Sequence, residues 1–349
     1  NELRRIGIQP DVIICRADLP IPEGIRDKIS LFCDVDRDAV IPLPTIPSIY
    51  EVPLALEEQG IGHLIVDKLE LQAAECDMSR WQQLVDSLHE PHGQVNIALV
   101  GKYVELKDAY FSVREALHHA GLFHNRDIHL TWIASEELEE KGGQALLRSA
   151  QGIIVPGGFG IRGIEGMIEA AKYARNNKIP YLGLCLGMQV MVIEFARHVL
   201  GTSEANSTEF EAETPYPVID LLNDQENVED MGGTMRLGNY PCDLLRDSHA
   251  GRAYGTTRIE ERHRHRYEFN NKFRSQLQEA GMVCSGLSPD GKLVETCEIP
   301  NHPWMVSCQF HPEFGSRPGQ PHPLFRDFVG AAKNVLREGA QPSLPLSTT

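Results

Sequence analysis

The alternation of short apolar runs with longer helical segments between residues 95 and 200 constrains the fold more than any other feature of this sequence. The pattern predicts strands at 95–100, 128–133, 152–155 and 179–184, and helices at 108–121, 135–149, 163–176 and 186–200. Such alternation forms right-handed βαβ units around a sheet whose strands are mostly parallel. The sequence therefore predicts an α/β fold with a mostly parallel, doubly wound sheet.

The segments on either side suggest how the chain is divided. Residues 1–78 also mix strand signals (12–15, 39–41) with helix signals (22–32, 50–59), but they are too few for a complete doubly wound sheet. A polar helix at 80–89 and the breaker Glu90-Pro-His-Gly93 indicate a linker at 79–94. We predict a partial α/β domain at 1–78, a second domain at 95–337 with short strands in 233–310 and a last helix at 324–336, and a disordered tail at 338–349.

Composition narrows the class of protein. Of the 349 residues, 33 are Lys or Arg and 49 are Asp or Glu, so the formal net charge of -16 argues against a nucleic-acid partner bound by phosphate neutralisation. The longest apolar stretch, 180–195, is interrupted by Gly and Gln and is too short to span a membrane. None of the eight cysteines shows CxxC spacing, which argues against a zinc ribbon or a thioredoxin-like site. Because the chain is long and the cysteines lie mostly in apolar runs, we expect reduced thiols and a cytoplasmic protein without a membrane partner. Because the chain begins at Asn1 in mid-pattern, we expect a longer N-terminal part to be missing.

The strongest local signal surrounds Cys185. An apolar strand ends there, a helix begins at once, and Gly183 and Gly187 flank the cysteine at two residues on either side. This is the thiol counterpart of the G-x-S-x-G turn, which lifts a nucleophile above the edge of a sheet. A helix N-terminus and a histidine partner both favour the thiolate. A buried structural cysteine is the alternative, but the strand–turn–helix context favours the nucleophile.

A base for this thiol follows a later apolar strand. His311 stands at the end of the run 304–310, and Glu313 follows two residues on, where it could fix the tautomer of the imidazole. With fourteen histidines in the chain, an ordinary loop histidine is the alternative. The glycine loop 156–160 lacks the Lys and Ser/Thr of a phosphate-binding loop. The N–H groups of Gly158 and Leu186 could instead stabilise an oxyanion, so the three elements together predict acyl transfer by a thiol.

Three motifs, Pro156-Gly-Gly, 183–189 and His311-Pro-Glu313, resemble the class I glutamine amidotransferases in that order. Further motifs at 48–53, 101–110, 160–166, 232–238 and 261–268 resemble the CTP synthase family in particular. The resemblance implies that glutamine is hydrolysed through a γ-glutamyl thioester, and that the released ammonia serves an ATP-dependent amination of UTP to CTP in the whole enzyme.

The resemblance also implies roles for individual residues. It implies a catalytic triad of Cys185, His311 and Glu313. It implies a glutamine site formed by Gly158, Leu186, Gly187, Met188, Gln189, Glu209, Arg266 and Tyr267. A carboxylate and a guanidinium are the groups expected to hold the α-ammonium and α-carboxylate of glutamine. His263 and His265, inside the basic run 262–266, are expected to lie on a solvated surface.

The remaining implications concern nucleotides and assembly. The resemblance assigns Arg16 and Lys28 to UTP or CTP, Thr45 and Ile46 to ATP, and Arg162, Gly163 and Glu165 to GTP as an allosteric activator. Phe111 stands where the family often has Lys, which puts one GTP contact in doubt. No covalently bound cofactor and no metal ligand in this chain are implied. For the full-length enzyme, the resemblance implies ATP with Mg²⁺, CTP as product and inhibitor, and a homotetramer. This chain alone is expected to act at most as a glutaminase.

Other functions remain open at this point. A different triad amidotransferase or a γ-glutamyl hydrolase would share the triad, but the block 263–267 and the N-terminal segment argue against both. A non-catalytic regulatory or assembly subunit would keep the fold. The intact Cys185, His311 and Glu313 argue against that alternative.

Overall fold

The structure is a computed structural model, and it describes residues 2–90, 92–221 and 235–335. The chain forms two compact units, Asn1–Glu90 and Pro91–Thr349. The predicted linker at 79–94 stays a prediction, although it includes a helix, Ser79–Leu88. The tail predicted at 338–349 lies outside the described residues.

The first unit contains a small sheet of two parallel strands, β1 (Ile13–Ala17) and β2 (Val40–Pro44). Its helices are α1 (Glu2–Arg5), α2 (Glu23–Cys33), α3 (Val52–Glu58), α4 (Ile61–Lys68) and α5 (Ser79–Leu88). Pro22 precedes α2 with φ −62°, the value that its ring imposes and that suits a helix start. Gly60 takes φ +73° and separates α3 from α4, as expected of a glycine that closes a helix.

The second unit is built on a nine-stranded sheet. Its strands are β3 (Gly93–Gly101), β4 (Arg126–Ala134), β5 (Gly152–Val155), β6 (Tyr181–Leu184), β9 (Arg236–Leu244), β10 (Arg258–His265), β12 (Val283–Leu287), β13 (Val294–Glu298) and β14 (Met305–Cys308). The spatial order is β10-β9-β12-β13-β14-β6-β5-β3-β4, in which neighbours from β14 to β4 are parallel and those from β10 to β14 antiparallel. A smaller sheet contains β7 (Ala205–Ser207), β8 (Tyr216–Leu221) and β11 (Tyr267–Phe269). The predicted α/β fold is confirmed.

Helices cover both faces of the large sheet. They are α6 (Phe111–Phe123), α7 (Ile164–Asn177), α8 (Leu186–Leu200), α9 (His249–Tyr254), α10 (Arg274–Glu279) and α11 (Pro323–Ala332). Successive side chains of a strand point to opposite faces. In β3, Ala98 and Val100 accordingly pack with α7 and α8, whereas Ile97 and Leu99 pack with α6 and α11. The two apolar cores fix the sheet rigidly, and the carboxyl ends of its parallel strands lie at one edge.

The predicted helix at 135–149 is wrong. Two short 3₁₀ helices, Ser135–Leu138 and Gly143–Leu147, take its place. Gly142 between them has φ +89°, which an α-helix does not accommodate, and a Cβ on Gly143 would lie 2.2 Å from the carbonyl oxygen of Glu137. The glycine pair therefore ends the first turn, although the polar composition alone resembles a surface helix.

All eight cysteines are free thiols, and five of them are buried. This agrees with the reduced thiols expected from the length of the chain and the apolar surroundings of the cysteines. Within residues 2–90, 92–221 and 235–335, the structure contains no helix that is long and apolar enough to span a membrane.

Candidate active site

Cys185 occupies a strained turn between β6 and α8. Its φ of +51° and ψ of −100° are unusual for a residue with a side chain. A Cβ on Gly183 would lie 2.5 Å from the carbonyl oxygen of Gly187, and a Cβ on Gly187 would lie 2.0 Å from that of Val155. The turn can therefore form only with glycine at both positions. Strain of this kind is concentrated at functional sites, where the surrounding structure holds it in place.

The strand register brings His311 to the same edge of the sheet. β14 runs parallel to β6 with Cys308 opposite Leu184, and the N–H of Cys185 donates to the carbonyl oxygen of Cys308 at 2.8 Å. The chain that leaves β14 therefore passes beside the thiol. Gly157 lies against both groups, because a Cβ there would be 3.0 Å from His311 Cε1 and 3.6 Å from Cys185 Cβ.

His311 forms an ion pair with Glu313 inside the protein. Its Nδ1 lies 2.8 Å from Glu313 Oε1, and both side chains are largely buried. Burial alone would lower the pKa of His311, but Cys185 and Glu313 outweigh it and raise that pKa to about 10. Of the two groups that raise this pKa, Cys185 has the larger influence, and Glu313 adds to it. The imidazole is thus held as an imidazolium near neutral pH.

Lys102 supports the glycine loop beside the thiol. Its Nζ donates to the carbonyl oxygen of Phe159 at 3.1 Å and also to that of Gly160. Burial lowers the pKa of Lys102 to about 8, although the nearby Glu209 carboxylate favours the charged form. Oε1 of Glu209 accepts a hydrogen bond from the N–H of Gly160 at 2.8 Å. The loop that carries Gly158 is therefore fixed from two sides.

A small cavity of about 90 Å³ opens beside Cys185. It is lined by Gly158, Phe159, Cys185, Gln189, Glu209, Met235, His265, Arg266 and Tyr267. Six of these residues belong to the predicted triad or glutamine site. The predicted residues Leu186, Gly187 and Met188 do not line the cavity and form the buried first turn of α8. Gln189 donates from Nε2 to the carbonyl oxygen of Tyr267 at 3.2 Å and so joins α8 to β11.

A second cavity of about 290 Å³ also reaches Cys185. Its lining includes Tyr103, Phe159, Arg264, His311 and Phe314. Cys185 therefore lines both cavities.

The residues predicted for GTP line neither cavity, although Arg162 packs against Tyr103 of the larger one. Arg162 pairs with Glu136 and donates to the carbonyl oxygen of Lys102 at 2.6 Å. Gly163 precedes α7 with φ +67°. Glu165 binds Arg197 through both carboxylate oxygens, at 2.6 and 2.9 Å. Phe111 is partly exposed and packs against the guanidinium of Arg114.

The residues predicted for UTP, CTP and ATP all lie in the first unit. Arg16 is exposed near the carboxyl end of β1, and Lys28 is exposed on α2. Thr45 follows β2 and donates from Oγ1 to Asp18 Oδ1 at 2.7 Å, and Ile46 after it is half-buried.

The expectation that His263 and His265 are solvated is wrong. Both are buried, because alternate residues of β10 point inward and the arginines between them point outward. Nδ1 of His263 lies 2.8 Å from Nε2 of His265, whose Nδ1 faces the carbonyl oxygen of Tyr267 at 3.3 Å. Burial lowers the pKa of His263 to about 3, so the ring is neutral. The alternation Arg-His-Arg-His-Arg was the signal in the sequence that could have revealed this.

A buried ion cluster continues this network. Arg236 pairs with Glu268 at 3.0 Å and with Glu295 at 2.9 Å. Burial raises the pKa of Glu268 to about 8 despite the attraction of Arg236. The sequence pattern does not reveal this cluster, because its three members come from β9, β11 and β13 and meet only in the folded chain.

Comparisons with known proteins identify the family of this chain. The family model described as "Glutamine amidotransferase class-I" matches residues 105–331, and the one described as "CTP synthase N-terminus" matches residues 1–71. A CTP synthase from Dehalococcoides mccartyi is 65% identical over 347 residues, which cover 99% of this chain and 64% of that protein. A CTP synthase from Roseiflexus sp. is 60% identical over 346 residues, covering 99% and 62%. The chain thus spans less than two thirds of the length of these relatives.

A solved structure is similar as well. The glutaminase domain of Trypanosoma brucei CTPS with bound acivicin is 38% identical, with a TM-score of 0.65. The match covers 70% of this chain and 96% of that domain. The resemblance stated from the sequence is confirmed, and the chain belongs to the class I glutamine amidotransferase family.

Proposed function

We propose that this chain hydrolyses glutamine to glutamate and ammonia, with Cys185 as the nucleophile. The observation that carries the proposal is the strained turn at Cys185 next to the His311–Glu313 pair, which follows the adjacent parallel strand β14. A conformation of this kind costs on the order of 1–3 kcal/mol, which a purely structural cysteine would have no reason to sustain.

The raised pKa of His311 defines the first step. His311 takes the proton of the thiol, and Glu313 stabilises the resulting imidazolium. The thiolate attacks the side-chain carbonyl carbon of glutamine, and an S–C bond forms. His311 then donates its proton to the amide nitrogen, the C–N bond breaks, and ammonia leaves a γ-glutamyl thioester.

The second half of the reaction reverses these roles. His311 takes a proton from water, the hydroxide attacks the thioester, and the S–C bond breaks to release glutamate and the thiolate. In both halves the N–H groups of Gly158 and Leu186 are the proposed donors to the oxyanion. Leu186 is the first residue of α8, where a helix has N–H groups without an intrahelical partner.

Charged groups around the small cavity suit the two ends of an amino acid. Glu209 would accept from the α-ammonium of glutamine, because its carboxylate has an oxygen besides the one that Gly160 occupies. Arg266 would bind the α-carboxylate, for which the planar guanidinium is well matched. Tyr267 would contribute backbone groups, which Gln189 holds in place.

We further propose that the chain supplies this ammonia for CTP formation as part of a longer polypeptide. Relatives named CTP synthase, 58–66% identical over nearly the whole chain, support this role. In it, UTP and ATP would be substrates and CTP the product and inhibitor. The proposed contacts are Arg16 and Lys28 with UTP or CTP, Thr45 and Ile46 with ATP, and Arg162, Gly163 and Glu165 with the activator GTP.

The proposal extends to the assembly and to Mg²⁺. A homotetramer in the cytoplasm is proposed for the longer polypeptide. Mg²⁺ would accompany ATP there. Among the described residues, no group of three or more His, Cys, Asp or Glu side chains is arranged to hold a metal ion.

Replacing the nucleophile tests the proposed glutaminase. We expect Cys185→Ala to lower ammonia release from glutamine by about 10³-fold or more, because no thioester can form. Cys76→Ser is the matched control, since Cys76 is an exposed thiol in the first unit and should be dispensable. Ammonia can be measured with a coupled dehydrogenase assay. Glutamine hydrolysis that persists in Cys185→Ala would show that another group is the nucleophile.

The same substitution in a longer polypeptide tests the link to CTP. There we expect Cys185→Ala to abolish CTP formation from glutamine and to leave CTP formation from added ammonia intact. The 349-residue chain alone should release ammonia without forming CTP. CTP formation by this chain from UTP, ATP and ammonia would contradict the proposal that CTP formation requires a longer polypeptide.

A further inference from the structure

Gln309 places a buried amide beside the proposed nucleophile. It follows β14 directly, and because Cys308 is opposite Leu184 in the parallel pair, position 309 lies next to Cys185. The N–H of Gln309 donates to the carbonyl oxygen of Glu295 at 2.8 Å, which continues the pairing with β13. Its side chain is completely buried. The backbone pairing and the burial together fix the position of the amide.

The amide contacts the sulfur atom itself. Nε2 of Gln309 lies 3.7 Å from Cys185 Sγ, a hydrogen-bonding distance for an atom as large as sulfur. Oε1 of Gln309 is buried and has no hydrogen-bond partner within the described ranges. An amide retained only for packing would be expected to satisfy its oxygen, because an unpaired buried acceptor is costly. The contact with sulfur is therefore the feature that accounts for an amide at this position.

The other groups that face Cys185 differ in character. Sγ also lies 3.9 Å from the carbonyl oxygen of Arg264, which can accept a hydrogen bond from the neutral thiol but offers nothing to a thiolate. Charged or titratable side chains around the sulfur come from several elements: Glu209, Arg264, His265, Arg266, His311 and Glu313. Gln309 differs from all of these because it is a donor that carries no charge and does not titrate.

We propose that Gln309 is a catalytic residue, which donates a hydrogen bond from Nε2 to the Cys185 thiolate. This inference rests on the proposed function, in which Cys185 is the nucleophile. The proton of the thiol passes to His311, and Gln309 keeps its own protons, so no bond breaks at the amide. The same N–H would stabilise the thiolate again when the thioester is hydrolysed. A thiolate can only accept, so it selects the amide orientation that the structure has.

Alkylation of Cys185 tests this role without requiring glutamine turnover. The rate of reaction with iodoacetamide is measured from pH 4 to 10, with the peptide that contains Cys185 quantified by mass spectrometry. Gln309→Leu should move the midpoint of the pH profile upward and lower the rate about 3- to 10-fold at a pH below the midpoint. Above the midpoint the rates should converge, because the thiolate is then fully formed. Gln309→Glu should lower the rate below the midpoint by more than about tenfold, since a carboxylate repels the thiolate.

Gln151→Leu is the matched control. Gln151 is also a buried amide of the second unit, but its Nε2 donates to the carbonyl oxygen of Val335 and its Oε1 accepts from Asn96 N–H. This variant should leave the profile unchanged. A Gln309→Leu profile that keeps its midpoint, or that falls equally at every pH, would overturn the proposal and indicate a packing role alone. Equal shifts in Gln151→Leu would overturn it too.

Thermal unfolding of each variant accompanies these measurements. If Gln309→Leu does not fold, the isosteric Gln309→Glu still decides, because an unshifted midpoint in that variant would contradict the hydrogen bond. Glutaminase activity of Cys185→Ala is a separate measurement. Activity that persists in this variant would refute Cys185 as the nucleophile. The effect of Gln309 on the thiol would still be decided by the alkylation profiles.

Discussion

The two units of the chain differ in how much of their apolar surface is buried. Residues 2–90 expose twelve large apolar side chains, whereas the much longer described part of the second unit exposes ten. Six apolar residues are buried in the first unit, and its sheet has two strands. The second unit has a nine-stranded sheet with an apolar core on each face. Because stability grows with the apolar area that folding buries, most of it must come from the second unit.

The units also differ in what they bury besides apolar groups. Across the described residues, every buried polar or charged residue belongs to the second unit. Ion pairs of the first unit, such as Lys68–Asp36 and Arg37–Asp27, lie at its surface, where such pairs contribute little. Buried charge is costly and is sustained by a rigid core. The second unit can therefore hold a buried site with a charged imidazole, whereas the ion pairs of the first unit lie at its surface.

The largest expected effect compares two phenylalanines. Phe328→Ala should lower the free energy of unfolding by about 3–5 kcal/mol, because Phe328 is fully buried on α11 and a cavity would remain. Phe32→Ala in the first unit should change it by less than about 0.5 kcal/mol, because 72% of Phe32 is exposed. Denaturant unfolding, followed unit by unit through hydrogen exchange, measures both. A large loss in Phe32→Ala would mean that the exposed apolar surface of the first unit is covered in solution.

Two glycine substitutions, one in each unit, compare the effects of the two units on the proposed active site. A Cβ on Gly187 would lie 2.0 Å from the carbonyl oxygen of Val155, so Gly187→Ala must displace the turn that holds Cys185. A displacement of about 1 Å can cost about 100-fold in rate, and we expect at least that loss of glutaminase activity. Gly24→Ala in α2 meets no atom within 4 Å and should leave the activity unchanged. Near-normal hydrolysis by a folded Gly187→Ala would contradict the strained turn as the source of activity.

Much of the site could be predicted where local pattern and packing agree. The helix Leu186–Leu200 has the predicted bounds, because an apolar run and two obligatory glycines specify the turn at Cys185. The helix predicted at 135–149 failed because Gly142 and Gly143 outweighed a polar composition. The expectation for His263 and His265 is wrong because the charged residues between them obscure the alternation of a strand. Gln309 and Lys102 could not be found, since their contacts join strands whose register the sequence does not state.

The smallest expected effect concerns pH, and it should arise in the second unit. The folded protein holds His311 at a pKa of about 10, above the value of about 6.5 for an unfolded chain. A raised pKa stabilises the fold fully below pH 6.5, and the contribution disappears as the pH rises through 10. The difference in free energy of unfolding between the wild type and His311→Asn should therefore shrink by about 1–2 kcal/mol between pH 6 and pH 10.

His119 provides a control of opposite sign. Burial lowers its pKa to about 4, and Nδ1 lies 3.0 Å from Ser316 Oγ. A lowered pKa favours the neutral ring in the fold, so the contribution of His119 is present above pH 6.5 and is lost as the pH falls through 4. Unfolding curves of His119→Asn and His311→Asn should thus diverge from the wild type at opposite ends of the pH range. Parallel pH profiles for the two variants would contradict the imidazolium at His311, because only a charged ring loses its stabilising proton at high pH.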